Sequence, residues 1–343
     1  MTRFSVQIGL VGLGAGACSA LLFALMLSKS VVAIGLFYLS PLPILLVALG
    51  WIHWAGLLVY LSPLPILIGA LGWSHWAGLL AAVVAAVSLA LALDNFYFLA
   101  FLISIGVPAW WLGYLALLAR PAGTADEIEW YPPGRLVVWS AALGALMVLI
   151  GLSQIDEATI RDTLRRAIES MLRTQMRVPP DKPLELPGLA DPAALAMVLP
   201  PAAAALTTVT QLLNLWLAGR IVRISGRLRR PWPEFAALRF PSTTPIALAA
   251  AFGASFLPGT LGHAAALPAA SLLVAYAVLG FAVVHGITRH LPSRGVVLFA
   301  IYVAVALFGW TVLLMTLLGL IDAALDLRGR VAATRKPPPI PPV

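Results

Sequence analysis

Apolar runs of bilayer length, parted by short polar stretches, fill the chain from Phe4 to about residue 320. A helix needs about 20 apolar residues to cross a membrane. The first such run covers Phe4 to Leu27, and others are predicted over Val31–Trp51, Leu57–Trp73, Trp76–Leu93, Phe96–Ala119, Arg135–Leu152 and 192–219. A two-span hairpin is predicted in 244–286, turning near "FLPGTLGH", and a last span over 295–320. The runs are uninterrupted rather than short and alternating, so they predict helices and not a membrane barrel. The predicted fold is all-α, a polytopic transmembrane helical bundle of about eight to nine spans. It forms one membrane domain over 1–321 with a Pro-rich tail, 322–343, ending in "ATRKPPPIPPV".

Two stretches depart from this pattern. In "DEATIRDTLRRAIESMLRTQM", Ile160, Leu164, Ile168, Met171 and Leu172 share one helical face and charges fill the other. This predicts an amphipathic surface helix over 156–177, with Asp156 as N-cap. The segment 220–240 carries six arginines and one glutamate. Basic residues collect in cytoplasmic loops, so it reads as a cytoplasmic loop.

Within the apolar region the chain repeats itself. "YLSPLPILLVALGWIHWAGLLV" (38–59) is followed directly by "YLSPLPILIGALGWSHWAGLLA" (60–81), identical at 18 of 22 positions. A 22-residue helix rises about 33 Å, close to the ~30 Å hydrocarbon core. One copy is therefore about one span, and adding a single span inverts everything after it. If the arginine loop is cytoplasmic, seven preceding spans put Met1 outside. Six put it inside, where Arg3 prefers to be. Three spans after the loop would leave the basic tail outside. Either the N-terminus is outside or one copy does not cross.

The repeat also holds candidate chemistry. In "SPLP", Pro41, Pro43, Pro63 and Pro65 remove backbone donors and disfavour helix before them. Such a break is either a helix end or unwound backbone lining a cavity. His53 and His75 sit between tryptophans. They are either interfacial residues or ligands for a polar or anionic solute. In "TTVTQLLNLWLAG", Thr207, Gln211 and Asn214 share one face, as helix-to-helix hydrogen bonds or as a polar pocket. On the first span, Gly12, Gly16, Ala20 and Ala24 recur at every fourth position. They form a small-residue stripe for close helix packing or for docking a partner.

Composition sharpens this picture. The chain is 61% hydrophobic and 10% charged, against about 25% charged in soluble domains. The net charge of +8 reflects basic loops rather than nucleic-acid binding. Cys18 is the single cysteine, so no internal disulfide can form. The first run is long enough to be an anchor rather than a cleaved signal. No phosphate-binding loop, zinc-protease motif or nucleophile–histidine–carboxylate set occurs. No metal, cofactor or enzymatic activity is expected.

Four blocks carry a family resemblance: "FYLSPLPI", "NLWLAGRIVRISGRLRRPWP", "SFLPGTLGH" and "LLGLIDAALDLRGR". With them the chain resembles the YybS-like family of predicted bacterial membrane proteins over about 4–331. The resemblance implies a single SPLP block, so the second copy is a departure. It also implies a multi-pass protein of the bacterial cytoplasmic membrane, distantly similar to the substrate-binding components of energy-coupling-factor transporters. Those capture small solutes and work with a separate membrane subunit and ATPases, and the small-residue stripe would be their docking face. The leading expectation is thus capture or transport of a small solute. The alternative is a non-transport scaffold in envelope assembly.

Overall fold

The computed structural model describes residues 2–27, 60–123, 128–153 and 192–333, with single positions between 159 and 173. The first repeat copy with His53, the predicted span 31–51, Asp156 and the chain beyond 333 lie outside the described residues, as does the apolar face of the predicted surface helix. Its polar positions Thr159, Asp162, Arg165, Glu169 and Arg173 are helical.

The described chain is mostly helical, with one small hairpin. In order come α1 (Thr2–Leu27), α2 (Pro63–Gly72), α3 (His75–Ala92) and α4 (Phe96–Phe101). A π-helical turn (Leu102–Gly106) leads into α5 (Val107–Leu117). The antiparallel strands β1 (Ala119–Pro121) and β2 (Ile128–Trp130) follow, then α6 (Pro133–Ser153) and α7 (Pro192–Ile224). The end of the chain holds a 3₁₀ turn (Phe235–Ala237), α8 (Thr244–Ala254), α9 (Thr260–Ile287), α10 (Arg294–Leu307), α11 (Thr311–Leu325) and α12 (Leu327–Ala333). Six of the described helical segments are long and apolar enough to cross a membrane, and four more are apolar but shorter. The expected polytopic all-α bundle is what forms.

Arginines mark one face of the bundle. Arg227 stacks on Trp73 just before α3 begins, and Arg230 donates to Ala116 O near the end of α5 and to Tyr131 O before α6. The ends of α2, α5 and α7 and the starts of α3 and α6 therefore meet there. Helix α1 runs parallel to α3, since Gly12 faces Leu80 while Gly16 faces Ala81 and Val84. Its N-terminus, with Arg3, lies on the same arginine face.

The last apolar segment corrects the expectation of one span over 295–320. It breaks at Phe308–Trp310 into α10 and α11. Tyr302 of α10 stacks on Phe281 of α9 at 5.4 Å and meets His285, so α10 runs antiparallel to α9. Helix α11 runs parallel to α9: Thr316 Oγ1 donates to Leu273 O, and Arg328 lies against Gly286. Fourteen residues of α10 rise about 21 Å, short of the ~30 Å core. The pair enters from the arginine face and returns to it. There Arg328 donates to Ala236 O and Leu238 O, and Arg239 pairs with Asp326 at 3.0 Å. Helix α12 thus starts beside the arginine loop, and helical structure continues past residue 321.

Packing along α9 and α11 depends on two glycines. A Cβ on Gly280 would strike the carbonyl of Met315, and one on Gly319 that of Tyr276. Gly280→Leu should therefore force these helices apart, at about 1–3 kcal/mol for overpacking. A thermal melt in detergent with an unchanged midpoint would count against that contact.

The stripe on α1 packs within the chain. Cβ atoms at Gly12 and Gly16 would come 2.6–2.7 Å from α3 atoms. Ala20 is buried and Ala24 packs on the same core. Within the described residues the stripe therefore faces α3 and the core.

Candidate functional site

Pro63 lacks a backbone N–H, and Pro is tolerated at the first turn of a helix. It starts α2 there. The second "SPLP" is thus a helix start, and the ten-residue α2 rises only about 15 Å. The segment Tyr60–Ser62 just before it is non-helical backbone held inside the bundle, so its carbonyls need partners. Leu61 O accepts from the Leu64 N–H, and side chains from two other helices reach the carbonyls of Tyr60 and Ser62. Ser19 Oγ of α1 donates to Ser62 O at 2.5 Å, and Asn214 Nδ2 of α7 donates to Tyr60 O at 2.6 Å and to Thr210 O at 2.8 Å. Asn214 is fully buried.

Beside this break lies a cavity of about 320 Å³. Tyr60, Ser62, Pro63 and Leu67 form one wall, and Ser104, Ile105, Pro108, Ala109 and Leu112 a second. Met147, Val148, Gly151 and Leu152 of α6 and Leu206, Thr207, Thr210 and Gln211 of α7 complete it. The second wall has its own irregularity. Pro108 gives no N–H to the turn before it, and the chain winds there as a π-helix, a local form frequent at functional sites. Ser104 Oγ bonds back to Ala100 O at 2.5 Å. No lining residue is charged.

Gln211 is the exceptional lining residue. It is 6% exposed, and neither Nε2 nor Oε1 has a hydrogen-bond partner. Ser62 Oγ and Asn214 Oδ1, around the same break, are likewise buried without partners. Each such group costs about 1–3 kcal/mol when left unpaired. Gln211 lies nine residues before Arg220, about 14 Å along α7. That distance is about half of a ~30 Å hydrocarbon core.

Gln211 and Asn214 share a helix face, as their spacing predicts, but take different roles. Asn214 staples the break, and Gln211 faces the cavity. His75 does not join them. It opens α3 at the arginine face, with its ring 4.9 Å from Trp76 and 5.3 Å from Tyr114, and it does not line the cavity. The π-turn with Ser104 was not predicted; its only sequence signal is Gly106 and Pro108 inside an apolar run.

On the arginine face, Arg230 is buried. Desolvation pushes its guanidinium down from its ordinary value. The carbonyls of Ala116 and Tyr131 hold the charge, the first at a helix C-terminus that favours cations.

The fold defines a multi-pass helical membrane protein, and its helices enclose an uncharged pocket. The chain belongs to the family described as predicted membrane protein (DUF2232), whose model matches residues 42–323. This is the family that the sequence motifs indicate. The match names no energy-coupling-factor component. No curated protein and no solved structure matches the chain.

Proposed function

We propose that this protein binds a small uncharged solute within the membrane, as the solute-capturing part of a transport system. The observation that carries the reading is Gln211: a buried amide with both ends unpaired, on the wall of an uncharged cavity. Ligand pockets have volumes of about 300–1,000 Å³, mostly apolar walls and a few polar groups. Transporter sites lie near the midplane where helices break. An uncharged lining favours a neutral ligand, because an ion there would lack a counter-charge. The apolar walls suit an apolar body, and Gln211 and Ser62 suit one hydrogen-bonding edge. The role is binding without covalent chemistry. In this reading a separate membrane subunit and ATPases would supply the energy. The arginine face would be cytoplasmic in a bacterial inner membrane.

Native mass spectrometry of the protein purified from its own membrane tests this. A stoichiometric small molecule is expected, and Gln211→Leu should abolish it. The same variant should hold or raise stability by about 1–3 kcal/mol, because it removes an unpaired buried amide. Asn214→Leu should instead lower stability by a similar amount, by removing the hydrogen bonds that Asn214 donates to Tyr60 O and Thr210 O. A protein that carries no solute, and binds only envelope-assembly factors, would refute the capture reading. So would a solute unaffected by Gln211→Leu.

A further inference from the structure

We propose that Arg220, Arg223 and Arg227, braced on tryptophans, form a binding site for the phosphate headgroup of an anionic lipid. Trp232 carries two of them. The Arg220 guanidinium lies 5.8 Å from its ring and that of Arg223 5.3 Å, while Arg220 also lies 5.9 Å from Trp216. Arg227 lies 4.6 Å from Trp73. Trp232 is held against α7 by its surroundings. Pro231 and Pro233 flank it, and a Cβ on Gly219 would come within 3.2 Å of its ring. At Gly226 a positive φ of 70° ends the helix and turns Arg227 toward Trp73. A guanidinium stacked on an indole keeps its edge N–H groups free, and that planar fork suits phosphate oxygens.

The pairing pattern on this face sets these three apart. Arg120 pairs with Glu129, Arg239 with Asp326, Arg289 with Glu234 and Arg328 with Asp322. Arg229 and Arg230 donate to backbone carbonyls. Among the described residues no carboxylate pairs with Arg220, Arg223 or Arg227, and all three are exposed.

The surface next to them points to a lipid rather than a free anion. Val209, Leu213 and Trp216 are exposed apolar residues on α7. Their spacing places them on the helix face that continues into Arg220 and Arg223. A cationic ledge at the helix end and an apolar stripe running into the membrane match a headgroup joined to an acyl chain. Basic residues at a membrane surface attract anionic lipids by about 1 kcal/mol each, or roughly fivefold.

The test is native mass spectrometry of the full chain in detergent, titrated with phosphatidylglycerol or with phosphatidylcholine of the same chains. Retention of phosphatidylglycerol over phosphatidylcholine is expected. Each single Arg→Gln change at 220, 223 or 227 should weaken it about fivefold, and the triple variant on the order of a hundredfold. Trp232→Ala should weaken it as well. Arg289→Gln, which breaks a carboxylate pair on the same face, should leave it unchanged. A thermal melt of each variant checks folding, and the single changes carry the test if the triple variant does not fold. Excess inorganic phosphate should not displace the lipid. Equal retention of both lipids, or unaltered phosphatidylglycerol binding in folded single variants, would overturn the proposal. Full displacement by inorganic phosphate would overturn it too, by showing a free-anion site.

Discussion

Asp322→Ala is expected to destabilise the protein by about 3–5 kcal/mol, the usual effect of stranding one partner of a buried ion pair. Asp322 is 4% exposed in the last turn of α11. Its Oδ2 accepts from Arg328 Nη2 at 2.7 Å and Nε at 3.0 Å, and its Oδ1 from the Arg328 backbone N–H at 3.1 Å. Arg328 in turn donates to Ala236 O at 2.6 Å and Leu238 O at 2.8 Å. One guanidinium thus ties the returning C-terminal hairpin to the loop between α7 and α8. Removing the carboxylate leaves a buried cation with two carbonyls and no counter-charge. The double change Asp322→Ala/Arg328→Ala should cost less than the sum of the single changes. Thermal unfolding of the four proteins of that cycle measures it. Additive effects would show that the pair does not act as a unit.

Rewriting the second repeat copy to match the first at three positions, Gly69→Val, Ser74→Ile and Ala81→Val, should cost roughly 3–7 kcal/mol. Overpacking accounts for about 1–3 kcal/mol at a tight site and a lost N-cap for about 1. Each position has a distinct job. Gly69 faces Val11 and Ala15 of α1. Ser74 caps α3 by accepting from Trp76 N at 3.4 Å. Ala81 is fully buried, and its carbonyl lies 2.7 Å from a Cβ placed on Gly16. The first copy has Val47, Ile52 and Val59 at the equivalent places. Two of these are bulkier and the third cannot cap a helix. The second copy is therefore the one whose residues suit the α1–α3 crossing. A melt of the triple variant that matches the parent would contradict this.

Much of the architecture could be read along the chain. Long apolar runs carry the helix prediction because lipid offers backbone groups no partners. The every-fourth-residue spacing from Gly12 to Ala24 was legible, and in the structure Gly12 and Gly16 face α3. The side of the membrane was harder to read. Counting spans left Arg3 and the tail in conflict with the arginine loop. The turn at Phe308–Trp310, marked in sequence by little more than Gly309, brings α11 and the start of α12 back to the arginine loop. The residues of the candidate site were partly legible. Gln211, Asn214 and the SPLP block stood out as polar or helix-breaking groups in apolar surroundings. Their division of labour did not, because Asn214 and Tyr60 are 154 residues apart. His75 also stood out, yet its ring packs on Trp76 and Tyr114 and does not line the cavity.

The sequence by itself determined that this chain lives in a membrane as a helical bundle, and which stretch of α7 carries polarity. Those properties follow from local composition and period, which the bilayer reads as a solvent. Tertiary structure decided which helix ends share a face, which small residues meet, and which buried polar atoms are satisfied. Those depend on contacts between segments far apart in the chain: Ser19 with Ser62, Asn214 with Tyr60, Arg328 with Ala236. A buried hydrogen bond is made or missed according to where its partner's helix packs, and no local pattern encodes that position.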